Sequence, residues 1–172
     1  MYTPATTGTY TLLVENTRNL TSSTLLYNYI DNISVAPFMA NFEGDTMNIP
    51  CSTGGKVSMT LKAGIANGNK DYWILMSTSG SFPGFSVGGQ TVPLNWDLLL
   101  QYGLYNPGFA GSTGFVGKLT GFGMGEATLT LPADPSHLLV GFPIHFAYVL
   151  TAPGPALPLS FVSHPMHIKY CP

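Results

Sequence analysis

Charge is what this sequence has least of. Asp, Glu, Lys and Arg make up 8% of its 172 residues, against about 25% in an average soluble domain. With a net charge of −2 and its six basic residues scattered, the chain has no field to attract nucleic acid or an anionic membrane. Cysteine stops at two. No apolar run reaches the roughly 18 residues of a membrane-spanning helix, and helix-period patterns are nearly missing. The opening MYTPATTGTY lacks the basic region and apolar core of a signal peptide, so a secreted chain is expected in mature or trimmed form.

What is present is apolar and punctuated. Hydrophobic residues reach 45%, with 20 Gly and 14 Pro. A disordered chain would lack that apolar content. Solubility must then rest on Ser, Thr, Asn and Gly: either much of the surface is covered in use by neighbours or glycans, or the chain is simply an extracellular domain rich in Ser, Thr and Gly. This points to an extracellular or cell-surface location.

Strand signals recur at short spacing. KVSMTLKAG alternates strictly, with Val57, Met59 and Leu61 on one face. Leu129 and Leu131 alternate with Thr128 and Thr130. IHFAYVLT (144–151) and YWILMS (72–77) are apolar on both faces and read as central strands. Gly- and Pro-rich turns separate them. Residues 116–119 and 127–131 read as the arms of a hairpin. LNWDLLLQYG (94–103) reads as one or two helical turns, with Asn95 as cap and Leu98, Leu99 and Tyr102 inward. The expected fold is all-β: an antiparallel β-sandwich, Ig-like or jelly-roll-like, with an N-terminal two-stranded extension.

Three parts are expected: a strand pair over 1–36, a linker over 37–45, and a sandwich body over 46–172. An isolated two-stranded hairpin is marginal in water, so the pair must pack somewhere. Tyr10, Leu12, Val14, Tyr29, Ile33 and Val35 are its candidate assembly strand residues, laid against an exposed sheet edge of a neighbouring copy.

GTYTLLVEN and LLYNYIDNISVAP resemble the closing strands of galactose-binding-like jelly rolls. The body, from STGGKVSMTLKAG through SGSFPG and VPLN to GFPIHFAYV, resembles a C-terminal β-sandwich of large secreted environmental bacterial proteins. That resemblance implies secretion and fold and carries no assigned activity. The first resemblance also places Asp31 where jelly rolls can hold a structural calcium, although the strands carrying the other ligands are missing.

Chemistry is weakly signalled. The carboxylates are isolated in sequence, whereas a glycosidase needs a spatial pair. AGSTG (110–114) fits a nucleophile elbow only loosely, without the strand before it or the helix after it. His164 and His167 would face opposite sides of a strand and chelate poorly, while His145 is expected to donate to a backbone carbonyl. No catalytic residue, cofactor or metal is expected, and the chain is read as a non-enzyme. An even cysteine count suggests a disulfide between Cys51 and Cys171. Asn19 and Asn32 open N-x-S/T sequons and Thr21 sits in a Ser/Thr-rich loop, so these are the possible glycosylation positions. Phe82 and Phe85, in a Gly-rich loop, are the candidate sugar or partner contacts, with Trp73 in the core.

The expected function is therefore that of an extracellular structural subunit, joining copies of itself into a filament or surface layer by strand exchange. The alternative is a carbohydrate-binding or cell-surface attachment module of a larger secreted protein. Partners are other copies first and glycans second, with no nucleic acid and no membrane span.

Overall fold

The computed structural model describes residues 41–151 and 159–171. The expected strand pair over 1–36, with Tyr10, Leu12, Val14, Tyr29, Ile33 and Val35 and the glycosylation candidates Asn19, Thr21 and Asn32, lies outside the described residues. The chain divides into two units, Met1–Phe38 and Met39–Pro172.

The second unit is an all-β sandwich with one short helix. Its first sheet has the order β1-β3-β9-β7, from Asn41–Gly44 (β1), Gly55–Lys62 (β3), Met124–Leu131 (β9) and Ser112–Thr113 (β7). The second runs β2-β12-β10-β4-β8, from Asn48–Pro50 (β2), Met166–Cys171 (β12), Pro143–Thr151 (β10), Asp71–Ser77 (β4) and Val116–Lys118 (β8). Strand β11, Leu159–Val162, also pairs with β10, which meets β12 along its first half and β11 at its end. Between these strands all pairings are antiparallel except β2 with β12, and an isolated parallel bridge joins Val140 to Tyr170. A hairpin of Phe85–Val87 (β5) and Gln90–Val92 (β6) and the helix Leu98–Tyr105 (α1) complete the unit.

Alternation decides the core. Val57, Met59 and Leu61 of β3 and Ala127 and Leu129 of β9 face inward. They meet Tyr72, Ile74 and Met76 of β4 and Phe146, Tyr148 and Leu150 of β10 from the opposite sheet. Strands β4 and β10 are flanked on both edges. Their other face is also apolar: Leu75, Ala147 and Val149 form a second core with Val92, Leu94 and Leu100. The helix and hairpin exist to cover that face. A strand apolar on both sides needs two lids, as its composition implies.

Three expectations are corrected here. Residues 41–44, assigned to the linker, form β1, paired with β3, and Phe42 is buried in the core. Strands β8 and β9 are consecutive but are not a hairpin. β8 pairs with β4 and β9 with β3 and β7, so the turn between them carries the chain from one sheet to the other. That turn is tight: Gly123, at φ 74, sits where an added Cβ would fall 1.9 Å from the Gly64 carbonyl oxygen, a position only glycine can hold. In the helix the cap is Asp97 rather than Asn95, and Leu98 and Tyr102 point outward, leaving Leu100 as its buried residue.

Candidate functional site: an aromatic recess

A cavity of about 330 Å³ opens on the outer face of the second sheet. Its floor is Trp73 and Leu75 of β4 with Val149 and Thr151 of β10. Phe85, Val87 and Val92 of the hairpin make one wall, Trp96 and Leu104 another, and Leu159 of β11 closes the end. The placement follows from register. Val149 stands opposite Trp73 across the β4–β10 pair, so both reach the same face. Phe85 meets Trp96 edge-on, with ring centroids 5.2 Å apart, a favoured aromatic geometry. The lining carries few side-chain polar groups: the Thr151 hydroxyl and the two indole N–H groups. Volume and lining are those of a small-ligand or anchor-residue site.

One carboxylate holds the rim. Asp97 Oδ1 accepts from the Leu100 amide at 2.8 Å and so caps α1. Its Oδ2 accepts from the Thr78 amide at 2.8 Å, the Ser79 amide at 3.0 Å and the Ser77 hydroxyl at 3.0 Å. Burial by itself pushes this carboxyl up, but these hydrogen bonds outweigh it and hold the pKa down at about 2. Next to it Asn95 donates to the Ser79 carbonyl at 2.6 Å and accepts from the Gly84 amide at 3.1 Å. Asn95 and Asp97 thus clamp the 79–84 loop, which carries Phe82.

The two expected contact residues part company. Phe82 is 86% exposed, whereas Phe85 is half-buried in the recess wall. Trp73, read as core, is half-buried and forms the recess floor. Trp96 had no distinguishing signal in the sequence. The nearest one was the apolar outer face of β4, which had to be covered by something.

The cysteine pairing is corrected: Cys51 and Cys171 are free thiols. The chains meet, since the Cys51 amide donates to the Cys171 carbonyl at 2.9 Å. The phase is wrong for the side chains. Cys171 stands opposite Pro50, and burial alternates through Ile49, Pro50 and Cys51 so that Cys51 turns into the core, while Tyr170 turns inward and Cys171 outward. Burial pushes the Cys51 thiol up, helped by the negative charge of Asp134 and by Cys171.

Other candidates are occupied by structural work. Ser112 lies in the edge strand β7, and its hydroxyl donates to the Phe109 carbonyl at 2.7 Å. Glu43 pairs with Lys62 at 2.6 Å, Asp71 with Lys118 at 3.1 Å, and Asp45 accepts from the Ser58 amide at 2.9 Å. Among the described residues His145 makes no hydrogen bond to a carbonyl. Its ring faces that of His167 across β10 and β12, with centroids 5.7 Å apart.

No family model, curated protein or solved structure matches the chain, and the resemblances above rest on their motifs alone.

Proposed function

We propose that the chain is a non-catalytic extracellular structural subunit that assembles with copies of itself, with the aromatic recess as the socket of that contact. The observation that carries this reading is the apolar lining of the recess. A sugar brings hydroxyls, and burying them against this lining without partners costs about 1–3 kcal/mol each. An apolar side chain from another protein surface suits the same walls.

Another part of this unit carries a suitable knob. Phe122 is 73% exposed at the tip of the β8–β9 turn, which is braced by the Thr120 amide on the Met124 carbonyl at 2.7 Å and the Gly123 amide on the Thr120 carbonyl at 2.9 Å. A protruding aromatic on a rigid turn loses little freedom on docking. Knob and socket lie on different elements, so the contact is heterologous and builds open chains or rings rather than two-fold dimers. The low charge leaves little repulsion between copies. Among the described residues the outer edge of β1 is also unpaired, leaving backbone groups that an added strand would satisfy. The carbohydrate-binding or attachment reading is second. It is favoured by the exposure of Trp96 in the recess wall and of Phe82 in the 79–84 loop, where rings could stack on a sugar.

Sedimentation of the full chain over a range of concentrations tests the proposal. We expect concentration-dependent growth that is lost in Trp96→Ala and in Phe122→Ser. Mixing the two variants should restore one contact and stop at pairs, since one supplies an intact knob and the other an intact socket. A chain that stays monomeric throughout, or variants that assemble like the parent, defeats the reading.

A further inference from the structure

The sequence pairs His167 with His164 in an H-x-x-H, but the fold pairs it with His145. These two residues are direct partners across β10 and β12, between the inward pairs Ile144–Ile168 and Phe146–Met166. Both imidazoles therefore stand on the outer face of the second sheet. Their ring centroids are 5.7 Å apart with planes tilted by 39°. Among the described residues neither ring makes a hydrogen bond, so no protein partner competes with a ligand for their ring nitrogens. We propose that His145 and His167 form a two-histidine site for a divalent late transition-metal ion of the zinc, nickel or copper class.

The distances suit one shared ion. A metal–nitrogen bond of about 2.0–2.1 Å places each ring centroid roughly 3.2 Å from the metal. Centroids at the observed separation then subtend an angle of about 130° at the ion, which small rotations of the two side chains close to the tetrahedral value. Imidazole pairs suit these ions rather than Mg²⁺ or Ca²⁺, which take oxygen ligands. The sheet supplies preorganisation. His145 is half-buried in a strand paired on both sides, while His167 is exposed and free to turn toward it. The side chains next to the pair on this face are Ser77, opposite His145 on β4 and bonded to Asp97, and Lys169, two residues along from His167, with Asn48 opposite Lys169 and Cys171 a further two residues along. Ser77 and Lys169 are not suitable ligands, and Cys171, four residues from His167 along the strand, stands about 13 Å away. Among the described residues no third His, Cys, Asp or Glu joins the pair. Two coordination positions are therefore left to water or to a donor from another molecule.

The test is calorimetric titration of the untagged, full-length chain with ZnCl₂ and separately with NiCl₂ at pH 7.5. It is repeated on His145→Ala, His167→Ala and His164→Ala, each checked for the parent circular dichroism spectrum. We expect one equivalent of metal per chain. Either His145→Ala or His167→Ala should weaken it by at least about tenfold, the lower end of what losing even an outer-shell partner costs. His164→Ala should bind as the parent does. Absence of binding, binding that survives both His145→Ala and His167→Ala (as ions held by the thiols would), or loss in His164→Ala overturns the assignment. Should His145→Ala fail to fold, the exposed His167→Ala decides the matter alone.

Discussion

The Ser77 hydroxyl donates to Asp97 Oδ2 at 3.0 Å, joining the last residue of a central strand to the cap of the helix that covers it. The recess depends on this joint, because Trp96 directly precedes the cap and Leu104 rides on the helix that it starts.

Asp97→Ala should destabilise the body by about 2 kcal/mol, combining the loss of a helix cap with charge-assisted hydrogen bonds to the 77–79 segment. The wild type should show a matching pH dependence. Its folded carboxyl, at about 2, binds a proton less readily than the unfolded one at 3.8. The contribution is therefore full above pH 4 and is lost as the pH falls toward 2. Urea denaturation midpoints measured between pH 5 and 2 should converge for wild type and variant at the acid end. A constant gap would show that the carboxylate charge is not the agent.

Tyr148→Phe should leave stability unchanged or raise it by about 1 kcal/mol. Among the described residues the buried Tyr148 hydroxyl has only a weak contact with the Lys62 backbone, short of good hydrogen-bond geometry, and a buried polar group so poorly satisfied costs roughly 1–3 kcal/mol. The ring itself is well used, edge-on to Phe42 at 5.3 Å and stacked on Phe161 at 5.6 Å, and phenylalanine keeps both contacts. A marked fall in the melting temperature would reveal a partner for the hydroxyl.

Thiol reactivity should divide sharply. Cys51 is 0% exposed and its thiol is pushed up by burial, whereas Cys171 is partly exposed. A thiol reagent at pH 8 should reach Cys171 alone in the native chain and both residues in denaturant, since the thiolate is the reacting species. Finding no reactive thiol in denaturant would restore the bond that the sequence suggested.

Acidification below neutrality should weaken the fold through His145. Burial lowers its pKa from 6.5, and His167 across the strand lowers it further. The folded state takes up the proton less readily, so stability is full above pH 6.5 and declines as the pH falls through the folded value. His167→Ala should flatten that slope in part, leaving the portion due to burial. An unchanged melting-temperature profile between pH 7.5 and 5 would show that the two rings do not sense each other.

The sequence was legible where a pattern speaks about a face and opaque where the question concerned a partner. Alternation in Val57, Met59 and Leu61 gave the inner face of β3 directly. The two-sided apolar run in β4 gave its central place. Alternation cannot say which strand lies alongside, so residues 116–131 looked like a hairpin until the Gly123 turn was seen to change sheets. Asn95 and Asp97 are equally good caps by type. The choice is made by Ser77 and Ser79, some twenty residues earlier in the chain. The same limit hid the histidine pair, since His145 and His167 meet only through the β10–β12 register. It also misjudged the cysteines, whose chains touch one residue out of phase. The recess needed Phe85 and Trp96 to be folded back over Trp73, a long-range fact carried by no local motif.

The parallel pairing of β2 with β12 has a mechanical consequence. Strand β2 lies toward the start of this unit and β12 at its end, and they run in the same direction over Asn48–Pro50 and Lys169–Cys171. A pull on the chain before β2 and after β12 therefore drags the two strands past one another lengthwise. Their slanted, evenly spaced hydrogen bonds are loaded together rather than peeled one at a time from an end. A unit strung in a series under tension would thus resist at its own seam, with Ile49, Ile168 and Tyr170 buried beneath it to keep water from the bonds being sheared.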